Sequence, residues 1–295
     1  MPEHLVEHVE RGRLWPDTDR KEPHMTKRAS VAAIAMQKGG VGKTTTTLNF
    51  ARAAAVYHHA RTLVIDLDPQ GNTSSTLAAE EIADDQVTVA DALVPDGDTT
   101  LGEVIVPTIW EGVDLAPAAD TLAAAEARIA ASTAGREHRL RKALSPVLAD
   151  YDLVLVDNAP ALGLLLVNAL TAADTAVLVA EPDQWSADGL SLLHKTLVGV
   201  VEYSNPRLTV AGVLLNRVRP TATSNELAAE IAAGVSRHFG QVPVWLDRKV
   251  PLWQGIPDHL AAGLGLDQGP AKLRSLAEDV YRPIVGELLG AEVPA

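Results

Sequence analysis

The chain has 295 residues, 47% apolar and only 4% aromatic, which is enough for one large α/β domain and suits Ala-, Val- and Leu-rich helices on a buried parallel sheet better than a β-sandwich. The absence of cysteine excludes disulfides, thiolate zinc sites, cysteine nucleophiles and cysteine-ligated iron–sulfur clusters, and fits a reducing cytoplasm. A net charge of −13 rules out a chain coated in positive potential, so any contact with nucleic acid has to come from a local patch.

Residues 1–27 mix both charge signs with Pro16 and Pro23, show no sustained apolar period and read as a flexible extension. No apolar run approaches the roughly 18 residues of a membrane span, so no membrane association is expected. From Ser30 onward short apolar runs alternate with Ala-rich helical segments, the pattern of βα units, and residues 28–295 read as a single domain. Strands are expected at Val31–Met36, Thr62–Asp66, Val113–Ala116, Leu153–Asp157, Ala176–Ala180, Thr209–Leu215 and Val242–Trp245. Helices are expected at Lys43–Tyr57, Leu122–Ala131, Arg136–Leu148, Ala187–Val201, Glu226–Phe239 and Ala271–Leu289. The fold class is therefore α/β, a mostly parallel sheet with helices on both faces.

The first strand runs into Gln37-Lys-Gly-Gly-Val-Gly-Lys-Thr-Thr45 and then a helix, the setting a phosphate loop requires. Gly39, Gly40 and Gly42 free the backbone around Val41 to turn several amide N–H groups toward phosphate oxygens, and the helix start adds its positive end. Lys43 is placed to reach the β- and γ-phosphates, the Thr44 hydroxyl to ligate Mg2+, and Thr45 to contact the α-phosphate. The cofactors expected are ATP and Mg2+.

The strand Thr62-Leu-Val-Ile-Asp66 continues into Leu67-Asp68-Pro-Gln-Gly-Asn72, which puts two carboxylates at the C-terminal edge of a buried strand. That edge is where open parallel sheets place ligands. Taken alone, such a pair equally reads as a turn with Asx capping. Tyr151-Asp-Leu-Val-Leu-Val-Asp157 is an apolar run ending in a carboxylate, and Asp157 is expected to hold the metal, because magnesium needs a hard anionic oxygen near the phosphates.

The loop departs from the common pattern: Gln37 stands where a glycine is usual, and a second lysine, Lys38, precedes the glycine pair. In this it resembles the deviant Walker A loop of the ParA/MinD family, P-loop NTPases. The resemblance implies that Lys38 crosses a dimer interface to the partner subunit's phosphates, where a cation stabilises the transition state. It also implies that Asp68 positions the attacking water and that Asp66 has a supporting magnesium-shell or hydrogen-bonding role, making Lys38, Lys43 and Asp68 the catalytic set. The likeness runs from about Ala32 to Lys249 and more weakly to Leu289, through Gly112–Ala118, Leu162–Leu170 and Trp185–Gly189. Gly212-Val-Leu-Leu-Asn216-Arg217 resembles the family's adenine-contacting strand end, with Arg248 in the segment beside the base. Asn216 equally reads as a cap on the turn that follows its strand. The chain departs from the family at Asn158-Ala-Pro160-Ala, where two prolines are usual, and at Asp247 and Pro251 around Arg248.

Among family functions the resemblance is nearest to DNA-partitioning ATPases. It implies a homodimer formed on ATP binding, non-specific DNA binding, and stimulation by a ParB-like centromere-binding protein. Arg217, Arg219, Arg237, Lys249, Lys272 and Arg274 are the candidate phosphate-neutralising residues, with ordinary solvated cations as the competing reading. The alternative is a MinD-like positioning ATPase acting on membrane or protein cargo. Against it, the end of the chain around Glu278, Asp279 and Pro283 is acidic and interrupted by proline, a poor amphipathic anchor.

Overall fold

The structure, a computed structural model, describes residues 28–183 and 186–290. The extension expected over residues 1–27 and Trp185 lie outside the described residues. The strands are β1 (Ser30–Ala35), β2 (Thr62–Leu67), β3 (Val106–Pro107), β4 (Val113–Ala116), β5 (Leu153–Asn158), β6 (Thr175–Ala180) and β7 (Thr209–Leu215). They form one seven-stranded sheet in the order β3-β4-β2-β5-β1-β6-β7, parallel throughout except for the β3 edge strand.

The main helices are α1 (Lys43–His58), α2 (Asn72–Leu77), α3 (Thr121–Ala130), α4 (Leu164–Ala172), α5 (Ser186–Tyr203), α6 (Ala222–Phe239), α7 (Ala271–Leu276) and α8 (Arg282–Leu288). The β1 to β2 connection steps one way along the sheet and the β5 to β6 connection steps the other. Because such crossovers are right-handed, their helices α1 and α4 fall on opposite faces. Every residue of β2 and β5 is buried, as a strand covered on both sides should be.

Small side chains set the spacing of these layers. Ala32, Ala33 and Ala35 on β1 and Ala51, Ala53 and Ala54 on α1 are all buried, small residues that let sheet and helix pack closely. The C-terminal segment then covers α1: the Tyr281 and Phe50 rings stack edge to face at 5.9 Å, and both are fully buried. Among the described residues no helix is long and apolar enough to cross a membrane.

Three expected elements differ. Val242–Trp245 is not a strand. Pro243 has no N–H, and the segment makes a single bridge in which the Val213 N–H donates to the Pro243 carbonyl at 2.9 Å and the Trp245 N–H to the Val213 carbonyl at 3.1 Å. The helix expected over Arg136–Leu148 opens as a 3-10 turn at Arg136–His138, is helical over Arg139–Leu144 and stops before Pro146. The helix expected over Ala271–Leu289 bulges into a π turn at Ala277–Tyr281, just ahead of Pro283, which cannot donate to the preceding turn. The β3 edge strand was not expected.

Gly212 on β7 faces the Trp245 indole so closely that a Cβ there would lie 2.6 Å from the ring. Gly212→Ala should therefore destabilise the protein by about 1–3 kcal/mol through overpacking, read as a lower urea midpoint with an unchanged slope. An unchanged midpoint would show that the indole has room to move.

Candidate functional site

The loop between β1 and α1 is shaped by its glycines. Gly40 and Gly42 both sit at positive φ, 75° and 95°, a region that other residues enter only with strain. Gly42 also has no space for a side chain, since a Cβ would come 2.0 Å from Asn216 Nδ2. The Gly42 carbonyl accepts the first helical bond from the Thr46 N–H at 2.9 Å, so α1 starts with its free N–H groups aimed at the loop. Val41 is buried, and its carbonyl accepts from Asn216 Nδ2 at 2.8 Å.

Asn216 is itself buried at the end of β7, and its Oδ1 accepts from the Arg217 N–H at 2.8 Å. The side chain thus caps its own turn and braces the phosphate loop. Lys43 is buried too, with Nζ donating to the Lys38 carbonyl at 3.3 Å. Desolvation pulls its pKa down, and the charges of Asp157 and Asp68 work in the opposite direction.

Strand register brings the metal candidates together. Asp66 and Asp157 are direct partners on β2 and β5, at the sheet edge where the loop emerges. Both are almost wholly buried. Asp157 accepts from the hydroxyls of Thr44 at 2.8 Å, Thr73 at 2.6 Å and Thr47 at 3.2 Å. Asp66 accepts from the Ser74 N–H at 2.9 Å, the Ser74 hydroxyl at 2.8 Å and the Asp68 N–H at 3.0 Å. Burial, and then the neighbouring Asp157 charge, push Asp66 up to about 7, while burial also raises Asp157.

A divalent cation would reverse that cost. The donor set of two hard carboxylates and the Thr44 hydroxyl fits magnesium, which takes the rest of its shell from phosphate and water. Among the described residues no group of three or more acidic or histidine side chains forms a metal cage by itself, in keeping with an ion that arrives with its anion. Asp68 lies just beyond, half-buried, with Oδ1 accepting from the Gln70 N–H at 3.0 Å in an Asx turn.

Lys38 stands at the rim of the loop. Its ammonium pairs with Asp183 and lies 3.9 Å from Glu181, both just past β6. Glu181 in turn lies 3.5 Å from Arg217 Nε. Arg248 is drawn away by Glu287 at 2.6 Å and Asp247 at 3.8 Å.

The other basic candidates do not form one cluster. Arg217 and Arg219 follow β7, whereas Arg237 sits in the last turn of the 18-residue α6, so roughly 20 Å of helix separates it from Arg219. Lys272 lies over the Trp253 ring at 5.7 Å, and Arg274 donates to the Gly269 carbonyl at 2.8 Å. Lys249 lies in the turn after Arg248.

A glycine loop at the switch point of a parallel sheet, opposed by carboxylates on the neighbouring strands, defines a P-loop nucleotide-binding protein. A family model described as an AAA domain matches residues 29–210. The chain is 40% identical over 209 residues to the sporulation initiation inhibitor protein Soj of Bacillus subtilis, covering 71% of this chain and 79% of that protein. It is 39% identical over 212 residues to the chromosome partitioning protein ParA of Caulobacter vibrioides, covering 71% and 76%. The crystal structure of cobyrinic acid a,c-diamide synthase from Mycobacterium smegmatis with bound ADP and magnesium superposes with a TM-score of 0.73 at 30% identity, covering 90% of this chain and 98% of that one. The chain belongs to the ParA/MinD family of P-loop ATPases.

Sequence reasoning did not single out Thr47, Thr73, Ser74, Glu181 or Asp183. The one available signal was the Thr-Ser pair directly after Gly71-Asn72, hydroxyls at the start of a helix that a buried carboxylate on the next strand can reach.

The Gly42–Asn216 contact yields a coupling prediction. Gly42→Ala should cost about 1–3 kcal/mol of stability from strain and clash, and Asn216→Ala in the same chain should recover part of it, making the pair non-additive in a double-mutant cycle. Additive losses would mean that the two residues do not press on each other.

Proposed function

We propose that this chain is an ATP-dependent DNA-partitioning ATPase of plasmid or chromosome segregation, which binds ATP with Mg2+ in Lys38–Thr45 and closes into a sandwich dimer on doing so. The observation that carries the reading is the second lysine of the loop, Lys38, held at its rim rather than among the buried groups around Lys43. A cation at that rim is free to serve a phosphate other than its own.

The amides of Gly39–Gly42, the Lys43 ammonium and the Thr45 hydroxyl bind the phosphates. Thr44, Asp66 and Asp157 hold the metal, which neutralises charge developing on the transferred phosphoryl group. Asp68 orients the water, and Lys38 leaves its pair with Asp183 to reach the partner's phosphates. Asn216 braces the loop from behind and contacts the adenine, which Arg248 reaches on leaving its pair with Glu287.

The dimer then binds DNA non-specifically through surface cations drawn from Arg217, Arg219, Arg237, Lys249, Lys272 and Arg274. A ParB-like centromere-binding partner triggers hydrolysis and release. ATP acts by binding the dimer better than the monomer. The names of the partitioning relatives support this cargo.

Two variants test the reading. Lys38→Ala should lose DNA- and partner-stimulated ATP turnover by about a hundredfold or more while retaining nucleotide affinity, as expected for a charge that acts in the transition state. Normal turnover in that variant would end the sandwich mechanism. Asp68→Ala, loaded with ATP, should bind DNA with an affinity that falls steeply with salt, and should not bind when loaded with ADP. Failure to bind at low salt would transfer the function to protein or membrane cargo.

A further inference from the structure

We propose that Thr73 is a positioning residue that fixes the metal-binding carboxylate of Asp157 and ties it to the segment carrying Asp68. The proposal rests on the magnesium–nucleotide reading of the site. Thr73 is completely buried, and its hydroxyl donates to Asp157 Oδ2 at 2.6 Å, a short charge-assisted bond. A buried carboxylate with a free torsion has several ways to point, and a donor on a rigid element removes all but one. Thr47, which also donates to Asp157, comes from the phosphate helix itself. Thr73 comes from elsewhere, the short helix α2 that opens directly after Asp68-Pro-Gln-Gly71.

That placement couples two parts of the site. The turn carrying Asp68 is closed by the Gly71 N–H donating to the Asp68 carbonyl at 2.9 Å, and α2 is tied to it by the Ser75 N–H donating to the Gly71 carbonyl at 2.8 Å. At consecutive positions of α2, Thr73 holds Asp157 and Ser74 holds Asp66. Ser74 Oγ also accepts from the Ala118 N–H at 2.9 Å, anchoring α2 to the end of β4. The water-orienting carboxylate is therefore referenced to both metal carboxylates through a few rigid bonds. Thr44 now shares Asp157 Oδ2 with Thr73.

The test compares Thr73→Val, which keeps the shape and removes the donor, with Thr73→Ser, which keeps the donor. Binding of a fluorescent non-hydrolysable ATP analogue to the full chain is measured across a magnesium titration, alongside the magnesium requirement of ATP turnover. In Thr73→Val the magnesium concentration for half-maximal binding should rise by about tenfold or more, as for other residues that orient metal ligands. Its affinity for the analogue without magnesium should match the wild type. Thr73→Ser should restore the wild-type magnesium curve. An unchanged curve in Thr73→Val, or an equal loss with and without magnesium, overturns the role of Thr73 while leaving the magnesium–nucleotide reading intact. A wild-type protein whose analogue binding ignores magnesium overturns both.

Discussion

The site is organised around a repulsion. Register sets Asp66 and Asp157 side by side on β2 and β5 with almost no access to solvent, and each raises the cost of charging the other. The surroundings answer that cost with hydroxyl donors on Asp157, a serine on Asp66 and the buried ammonium of Lys43 close by. Those groups compensate the carboxylates in part and leave them poised for a divalent cation. Burial lowers the Lys43 pKa and raises those of Asp66 and Asp157, and both costs are relieved by the same ligand, a metal-bound polyphosphate. This complementarity gives the binding energy its specificity, since a monovalent anion satisfies only the lysine side.

The fold's contribution is to bring this arrangement to one edge. β1 lies between β5 and β6, where successive connections depart in opposite directions, and this leaves a crevice at the strand ends. Into it come the phosphate loop from β1, Asp66 and Asp68 from β2, Asp157 from β5, Glu181 and Asp183 from β6, and Asn216 from β7. Because the strands are buried on both faces and stiffened by their neighbours, Asp66 and Asp157 are held by the most stable part of the molecule, and the loops that carry the other groups start from the ends of those strands.

Much of this was legible in the sequence, and the rest was not, for identifiable reasons. Strands β1, β2, β5, β6 and β7 are short apolar runs that can pack only inside a parallel sheet, and the glycine loop announces its own geometry. Helices α2 and α4 were not expected, and the three segments read with the wrong form or bounds involve proline acting on a neighbour: Pro243 breaks a β-like run, Pro146 ends a helix early and Pro283 follows a bulge. Periodicity sees the side chains of such segments and misses the absent N–H. At the site, the lysines of the loop and the carboxylates that end apolar strands were readable, whereas Thr47 carries no such pattern, and Thr73 and Asp183 act across more than eighty residues of chain through contacts that exist only once strand order is known. Asn216 carries a role that no sequence pattern announces: its amide, which suits a base edge, also donates to the Val41 carbonyl and accepts from the Arg217 N–H, with one N–H and one lone pair left over.

The same network bears on how the proposed switch is kept closed. Lys38, Glu181, Asp183, Arg217 and Asn216 form a circuit that starts at the rim of the phosphate loop and returns to it through Val41. Arg217 sits in the left-handed region at φ 58°, so the turn that aims it toward Glu181 is held under some strain. An ion pair as accessible as that of Lys38, whose side chain is 28% exposed, is worth on the order of 1 kcal/mol. That is too little to resist a partner's triphosphate, whose charge is higher and whose site excludes water, yet enough to keep the lysine at home when no such anion is near. A much tighter pair would lock the chain as a monomer, and a missing one would leave the cation free to serve its own nucleotide. On the proposed sandwich mechanism, the part-buried, acid-flanked rim position is thus the one that allows a single lysine to report on the occupancy of a second subunit.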